Sequence, residues 1–212
     1  MDDSMGQTSK DWRGSYVGEP SVKLDLDKYG LSHLRGRDSR DWTDMEVDGL
    51  LDAFAKEDIA PEFALPPSLE YIEALLARSH CRRCGGCCLV NPLNPAHPGV
   101  EVYEAELKSM SRYLDMPYKS LRRKTFAGRG LRDPLAPHEV VITRMLPLPC
   151  MFYDQKGKKC RVYDARPLVC SIYPVILTDS DTSFTIKVNC EYGKDLCRSL
   201  LRDEARHLSS GR

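Results

Sequence analysis

The sequence contains no apolar run that approaches the ~20 residues of a membrane-spanning helix. Its first seven residues are polar and acidic, without the apolar region of a secretory signal. It also lacks net charge, with 31 basic and 31 acidic side chains, so composition gives no reason to expect an anionic membrane or nucleic acid as a partner. These absences predict a cytoplasmic protein whose thiols stay reduced.

Motifs of the common enzyme classes are missing as well. There is no P-loop and no G-x-S-x-G, and Gly128-Arg129-Gly130 lacks both the third glycine and the preceding strand of a dinucleotide-binding fold. No pair of catalytic acid and base stands out. The sequence therefore leaves catalysis open and names no catalytic residue.

The 212 residues suffice for one domain with or without an appendage, and a hydrophobic share of 42% is enough for a core. Charge is distributed unevenly, because residues 1–70 carry 16 acidic and 8 basic side chains whereas residues 71–212 carry 15 and 23. All nine cysteines lie in the second, basic part. We divide the chain into a flexible or loosely packed acidic arm (1–42), a helical N-terminal segment (43–80), a cysteine-cluster metal-binding domain (81–197) and a C-terminal helix or tail (198–212).

Hydrophobic periodicity predicts the main elements. A helix is expected with Thr43 or Asp44 as its cap, and a second amphipathic helix behind Ser68 leads directly into the first cysteine. Further helices are expected over 101–114, 117–127 and 191–208, strands over 140–146 and 183–188, and a hairpin with arms at 151–153 and 160–163. The predicted fold class is α+β: a small cysteine-rich domain with amphipathic helices and a short antiparallel sheet, held by metal–thiolate sites.

Four cysteines fall within eight residues, in the segment Cys81-Arg82-Arg83-Cys84-Gly85-Gly86-Cys87-Cys88. A C-x2-C turn lets two sulfurs converge on one ion or cluster, and the two glycines permit positive φ and close approach of amides to sulfur. The stem C-x2-C-x2-C is shared with bacterial ferredoxins. Because neighbouring side chains in an extended stretch point apart, Cys87 and Cys88 either serve two sites or provide one ligand and one buried thiol.

The other cysteines are more widely spaced. Cys150 and Cys160 lie at the two ends of the predicted hairpin, which would bring them together, and Cys170 follows Arg166-Pro167. Cys190 and Cys197 form a looser pair, whose six-residue gap places them on different sides of a helix. We therefore expect Cys197→Ser to leave both metal binding and stability intact, and Cys84→Ser to impair both.

Packing alone does not explain this pattern. Free cysteine is often interior, but a core does not require the spacing C-x2-C-x2-CC, which predicts metal or iron–sulfur binding. Ligation by thiolates alone suits a four-coordinate zinc site and an iron–sulfur cluster equally. The cysteines are numerous enough for two four-thiolate sites, or for one cluster with spare thiols.

Together these residues resemble the YkgJ-type cysteine-cluster family, described as a zinc- or iron-chelating domain. The resemblance covers about residues 81–190 and rests on the segment Cys81–Cys88, on Cys150 with the residues after it, on Gly157 to Pro174, and on Cys190. It implies eight metal ligands: Cys81, Cys84, Cys87, Cys88, Cys150, Cys160, Cys170 and Cys190. Cys197 has no counterpart in the family, and Ser171 stands where the family usually has arginine.

The function that we expect is a cytoplasmic cysteine-cluster metal-binding protein. Its cofactor would be an iron–sulfur cluster, of the [4Fe-4S] type, for electron transfer, cluster handling or redox sensing. One alternative is a zinc-stabilised protein-interaction module without catalysis. A second, implied only by resemblance to the flagellin lysine-N-methylases, is an iron–sulfur-dependent methyltransferase-like enzyme. A protein partner is expected, and binding to a membrane or to nucleic acid is not.

Other residues carry weaker signals. His80 adjoins Cys81 and could replace a thiolate as a ligand. His80, His97 and His138 are nevertheless read as surface or capping residues, since eight thiols already suffice as ligands. Arg166, with Tyr163 and Pro167, is expected to shape the turn that presents Cys170; the alternative is a guanidinium that donates to cluster sulfur. The acid-free run 117–132 is basic, and we interpret it as a solvated helix face rather than a docking patch.

Overall fold

The computed structural model describes residues 25–63, 68–91, 98–132, 140–177 and 183–209. Its helices are α1 (Asp44–Lys56), α2 (Leu69–Leu76), the one-turn α3 (Gly86–Leu89), α4 (Glu104–Tyr113), α5 (Tyr118–Arg122), α6 (Leu168–Ile172) and α7 (Glu191–Ser209). Its strands are β1 (Glu62–Phe63), β2 (Gly99–Tyr103), β3 (Phe126–Arg132), β4 (Val140–Pro147), β5 (Tyr153–Asp154), β6 (Lys159–Cys160), β7 (Val175–Leu177) and β8 (Phe184–Ile186). This mixture of helices and short strands confirms the predicted α+β class.

Every strand pairing in the described residues is antiparallel. One sheet has the order β1-β8-β7 and a second has the order β2-β4-β3, while β5 and β6 form a separate hairpin. In the second sheet β4 is central, and its register with β3 shifts between Ala127 and Gly130. The hairpin pairs Tyr153 with Cys160, so the predicted hairpin is present. It places one cysteine directly in a ladder and a second, Cys150, just before it.

The described residues form two hydrophobic cores, of which the first, core 1, lies between α1, α2, α7 and the sheet β1-β8-β7. Phe184 at its centre is fully buried and stacks on Phe63 with ring centroids 5.8 Å apart. Leu31 and Leu34, in the short 3-10 region before α1, are also buried here. Residues from the segment predicted as a loose arm thus pack against the helices, whereas residues 1–24 lie outside the described part of the chain.

Ion pairs join α1 to α7 along this core. Lys194 contacts Asp52 at 2.7 Å and Arg198 contacts Asp48 at 2.7 Å. The pairing of Arg202 with Asp44 continues the series by one turn. The acidic and basic parts of the sequence therefore meet across these two helices.

The second core, core 2, lies between α4, α5, the sheet β2-β4-β3 and the hairpin. Its buried members are Val102, Leu107, Met110, Leu121, Leu146, Phe152 and Val162. The chain crosses from core 1 to core 2 through the cysteine segment 81–88 and returns through α6. Two cysteine-bearing segments, residues 81–88 and α6 with Cys170, thus connect the two cores.

The helix caps behave as predicted. The Thr43 side chain accepts from Glu46 N, and the Glu46 carboxylate accepts from Thr43 N at 2.6 Å, which completes a capping box. Ser68 accepts from Tyr71 N at 3.2 Å and caps α2. Both helices begin one residue after the predicted cap.

Two predicted helices are partly wrong. The segment expected as a helix from 101 begins as strand β2, which pairs with β4 through Tyr103 before α4 starts at Glu104. The helix expected over 117–127 ends at Arg122, and the chain continues as β3. In both places pairing with the central strand β4 overrides local periodicity.

Candidate metal centre

Eight of the nine cysteines line one cavity of about 1020 Å³. These eight are the predicted ligands Cys81, Cys84, Cys87, Cys88, Cys150, Cys160, Cys170 and Cys190. The cavity wall also takes apolar side chains from both cores, among them Val175 from core 1 and Leu146 from core 2. The ninth cysteine, Cys197, is fully buried inside core 1 and does not line the cavity.

The segment 81–88 is shaped by a left-handed glycine. Gly85 has φ +86° and is the N-cap of α3. A Cβ atom on Gly85 would lie 2.3 Å from the Tyr153 ring, so glycine is required by conformation and by space. The Tyr153 hydroxyl in turn donates to the Arg83 carbonyl at 3.1 Å.

Cys87 and Cys88 lie within α3 rather than in an extended stretch, so that prediction is wrong. The left-handed turn at Gly85 starts the helix one residue before Cys87. Successive residues of a helix are separated by about 100° around its axis, so the two thiols still diverge. Gly86, expected to supply a second positive φ, adopts an ordinary helical conformation.

The hairpin is tied to α3 through the backbone. Cys150 N donates to the Cys88 carbonyl at 2.7 Å. Arg161 N donates to the Phe152 carbonyl at 2.9 Å, and its guanidinium donates to the Met151 carbonyl at 2.7 Å. These bonds fix the positions of Cys150 and Cys160 relative to Cys88.

Helix α6 carries Cys170 and is held at its N-terminus by Glu106. The Glu106 carboxylate accepts from Leu168 N at 2.6 Å and from Tyr103 N at 2.7 Å. It therefore anchors the first turns of both α4 and α6. The sequence offers no signal for this role, because Glu106 is distant in the chain from both cysteine groups.

Arg166 shapes the turn before α6, as predicted. Its guanidinium lies 3.8 Å from the centre of the Tyr163 ring, and its Nε donates to the Tyr163 carbonyl at 2.9 Å. The Arg83 guanidinium lies 4.8 Å from the same ring centre, which links this turn to the segment 81–88. Ser171, at the family's arginine position, donates to the Arg166 carbonyl at 3.3 Å.

The sulfurs of Cys81 and Cys190 accept backbone hydrogen bonds from residues close in sequence. Arg83 N donates to the Cys81 sulfur at 3.4 Å, and Gly193 N donates to the Cys190 sulfur at 3.4 Å. Gly193 itself lies against the residue that follows β8, because an added Cβ atom would be 1.8 Å from the Lys187 carbonyl oxygen. The start of α7, and with it Cys190, is therefore pressed against core 1.

Cys87 differs from the other thiols in its electrostatics. A hydrogen bond from the Cys88 thiol lowers the pKa of Cys87 to about 7, and the nearby Arg166 guanidinium acts in the same direction. The same hydrogen bond, followed by burial, raises the pKa of Cys88. Cys87 is thus the thiol that ionises first in this pair.

Burial raises the pKa of most remaining cavity thiols. It is the largest cause at Cys150 and Cys160, at Cys170 with a pKa of about 12, and at Cys190 with a pKa of about 11. Neighbouring thiolates act in the same direction, because like charges disfavour ionisation. These thiols therefore stay protonated near neutral pH unless a cation compensates their charge.

The donor set fits a zinc or iron site. Zinc and iron–sulfur clusters both take four thiolates, and the cavity wall provides eight. As the side chains are placed, no three His, Cys, Asp or Glu residues in the described part of the chain form a group that could hold a metal ion. Each cysteine has one χ1 torsion with three staggered positions, so sulfurs on a shared wall can converge by rotation.

Cys197 departs from one expectation. Because its thiol is fully buried in core 1, a serine there would place a hydroxyl in an apolar site, at a cost of about 1–3 kcal/mol if it is left unsatisfied. The earlier expectation that Cys197→Ser leaves stability intact is therefore not supported. Alanine is the better replacement for testing ligation.

The remaining predicted residues lie away from the thiols or outside the described residues. His80 is exposed and contacts the Arg82 guanidinium at 2.8 Å. His97 and His138 fall outside the described residues. In the basic run, Lys119, Arg122 and Arg123 border a separate surface cavity of about 540 Å³. No helix in the described residues is long and apolar enough to cross a membrane.

Comparison with known proteins identifies the cysteine region. A family model named CxxCxxCC, with the description "Putative zinc- or iron-chelating domain", matches residues 80–193. A protein from Methanocaldococcus jannaschii, Uncharacterized protein MJ0661, is 29% identical over 96 residues, which are 45% of this chain and 43% of that protein. The chain therefore spans less than half the length of that relative. No solved structure matches the chain.

Proposed function

Since the chain belongs to the CxxCxxCC family of zinc- or iron-chelating domains, we propose that its thiol-lined cavity holds iron–sulfur clusters that transfer electrons. The observation that carries this proposal is the selective placement of the cysteines. Eight thiols from four separate parts of the chain line one cavity, and the one cysteine without a family counterpart is excluded from it.

The surroundings of the sulfurs favour iron–sulfur over single zinc ions. The cavity of about 1020 Å³ is much larger than closed tetrahedral sites require. Backbone N–H groups donate to the sulfurs of Cys81 and Cys190, and such bonds, together with solvent exposure, set the reduction potential of a cluster. The Arg166 charge near Cys87 would also favour the more negative, reduced state.

A bound cluster would supply reversible one-electron chemistry, while the chain supplies ligands, charge and shielding. The Tyr153 ring covers Gly85 and limits access to α3 from that side. Cys84 is the exposed member of the eight thiols, so it marks the side from which a protein partner would exchange electrons. We propose a protein partner on that side.

The test is anaerobic purification followed by a visible spectrum, with iron, acid-labile sulfide and zinc measured on the same sample. Matched iron and sulfide, with an absorption that bleaches on reduction, is the expected result. A colourless protein that contains zinc in stoichiometric amounts would overturn the iron–sulfur proposal while preserving metal binding. The full chain is used, because the cavity draws on both cores.

One observation favours a zinc-stabilised module as the second candidate. Cys81 and Cys190 pack against core 1 and Cys150 and Cys160 pack against core 2, so metal–thiolate bonds between thiols of the two cores would fasten the cores together. A structural role of this kind needs no redox activity. In that case removing zinc with a chelator should make the two cores unfold in separate transitions, without any change in the visible spectrum.

A further inference from the structure

Two neighbouring segments form the surface beside the exposed thiol of Cys84. The Tyr153 ring lies against Gly85, and the Tyr153 hydroxyl donates to the Arg83 carbonyl at 3.1 Å. Arg83 and Gly85 are the chain neighbours of Cys84 on either side. The β5–β6 hairpin, whose first strand begins at Tyr153, is therefore held next to Cys84.

This hairpin carries three exposed lysines, Lys156, Lys158 and Lys159. Lys159 directly precedes Cys160, which is the ladder partner of Tyr153. A chain spans at most about 3.6 Å per residue, so the backbone of each lysine lies within roughly 11 Å of this ladder pair. The three ammonium groups are thus close to the surface on which Cys84 is exposed.

The positive charge at this surface is not compensated. In the part of the chain that the structure describes, no carboxylate lies within ion-pair distance of the three lysines. The hairpin's own carboxylate, Asp154, accepts instead from the backbone N–H groups of Lys156 and Gly157, each at 3.1 Å. The exposed Arg83 guanidinium lies 4.8 Å from the centre of the Tyr163 ring and, among the described residues, also lacks an ion-pair partner.

Other cations of the protein are paired. Lys194, Arg198 and Arg202 of α7 each contact a carboxylate of α1. Arg82, on the other flank of the same cysteine segment, pairs with Asp195. Because the whole chain has no net charge, the uncompensated charge beside Cys84 attracts anions to this surface rather than to the molecule in general.

The exposed thiol narrows the class of anionic partner. Exchange of electrons at Cys84 requires that the partner carry a group that is reduced and oxidised reversibly. Nucleic acid is anionic but provides no such group, whereas an acidic protein with a bound redox cofactor provides both the charge and the electron. The two properties together therefore favour a protein.

We infer that an acidic protein with a one-electron redox group docks beside Cys84, on the surface formed by Arg83, Lys156, Lys158 and Lys159. This inference rests on the proposed electron-transfer function and adds the chemistry of the partner and the residues that it contacts. One electron leaves the reduced partner and enters the oxidised cluster, so no bond forms or breaks and no further reactant is needed. Opposite charges on the two surfaces would steer the encounter and fix its orientation.

The test uses an acidic ferredoxin as the probe and measures its binding to the full chain by calorimetry at low ionic strength. In K156Q/K158Q/K159Q the affinity should fall about 3- to 100-fold, which is the loss expected from three exposed ion pairs. K156R/K158R/K159R keeps the charge and should bind as the unaltered chain does. The three lysines are exposed, so metal content and circular dichroism should stay unchanged in both variants.

The matched control removes the same charge from another surface. Lys119 in α5, with Arg123 and Lys124 after it, is exposed, and none of the three lines the thiol cavity. K119Q/R123Q/K124Q should therefore bind the ferredoxin as tightly as the unaltered chain. Equal losses of affinity in the two glutamine variants would overturn the inference, because net charge rather than its position would then determine binding.

Two further results would also overturn it. One is a loss of affinity in K156Q/K158Q/K159Q that is as large at 1 M salt, where the Debye length is about 3 Å, as at low ionic strength. The other is tighter binding of a 20-nucleotide DNA strand than of the ferredoxin at the same lysines, which would indicate a nucleic-acid surface.

Electron transfer is measured separately, by mixing the reduced ferredoxin with the oxidised chain and following the visible absorption. The rate constant should fall in K156Q/K158Q/K159Q and not in the control variant. A colourless chain would overturn the proposed electron-transfer function. A chain that contains a cluster but does not bind the ferredoxin would overturn only the docking surface, so the two failures are distinguishable.

Discussion

Replacing Gly85 by alanine tests whether the left-handed turn before α3 positions the cysteines. Gly85 has φ +86°, and an alanine Cβ there would lie 2.3 Å from the Tyr153 ring. A residue with a Cβ atom pays about 1–2 kcal/mol for this conformation. Overpacking against the ring adds about 1–3 kcal/mol, which gives roughly 2–5 kcal/mol in total.

Gly36 provides the matched control. It has φ +68°, but nothing lies within 4 Å of an added Cβ atom. Gly36→Ala should therefore cost only the backbone contribution of about 1–2 kcal/mol. For a chain of this length the midpoint of thermal unfolding should be roughly 2–12 °C lower in Gly85→Ala than in Gly36→Ala.

The assay is thermal unfolding of the metal-loaded chain, followed by circular dichroism, with metal content measured on the same samples. Gly85→Ala should also bind metal less tightly, because Cys84 and Cys87 flank the displaced turn, whereas Gly36→Ala should not. A double-mutant cycle with Tyr153→Ala separates the two costs, since removing the ring should leave only the backbone cost. Equal midpoints and equal metal contents for the two alanine variants would refute the argument.

Two further predictions concern ionisation. In the metal-free, reduced protein Arg166→Gln should shift the pH profile of Cys87 alkylation to higher pH, because a positive charge that lowers the pKa of Cys87 is removed. Alkylation is followed by mass spectrometry, and Arg166→Lys should shift the profile less. An unchanged profile for Arg166→Gln would contradict the assigned interaction. Glu46→Gln should reduce the urea midpoint of unfolding at pH 7, because a hydrogen bond from Thr43 N lowers the pKa of Glu46 to about 2. The ionised carboxylate stabilises the fold fully above pH 4.5, so the difference from the unaltered chain should vanish as the pH falls towards 2. A difference that persists at pH 2 would be contrary to this assignment.

The caps and the regular helices were predictable because their signals are local. Thr43 and Ser68 cap the helices that they precede, and apolar spacing placed the buried face of α1. The hairpin carrying Cys160 followed from the glycine-containing turn between two short apolar arms. In each case the residues that determine the structure are neighbours in sequence.

The wrong predictions are in segments whose secondary structure depends on residues distant in sequence. Val100 and Val102 pair with β4, and this contact outweighs the helical spacing that continues from Tyr103. Strand β3 likewise exists because β4 lies beside it. The local hydrophobic pattern indicates neither strand pairing, because each pairing depends on residues that follow later in the chain.

The candidate site shows the same contrast. Cysteine spacing and the family resemblance selected the eight thiols that line the cavity, and set Cys197 aside. They did not indicate Glu106, which holds the start of α6, or Tyr153, whose ring fits against Gly85. Those supporting roles arise from contacts between core 2 and the cysteine segments. The spacing of residues along the sequence does not indicate such contacts.

The ion pairs between α1 and α7 have a consequence for how these helices align. The acidic residues Asp44, Asp48 and Asp52 repeat every turn, and so do their partners Arg202, Arg198 and Lys194. Since their carboxylates are at least half exposed, each pair stabilises the fold little, about 0.2–1 kcal/mol. A slip of one turn, however, would leave an end charge without its partner. These ion pairs therefore act mainly to set the register of α1 against α7. High ionic strength screens them, so it should loosen that register before it weakens the apolar contact between the two helices.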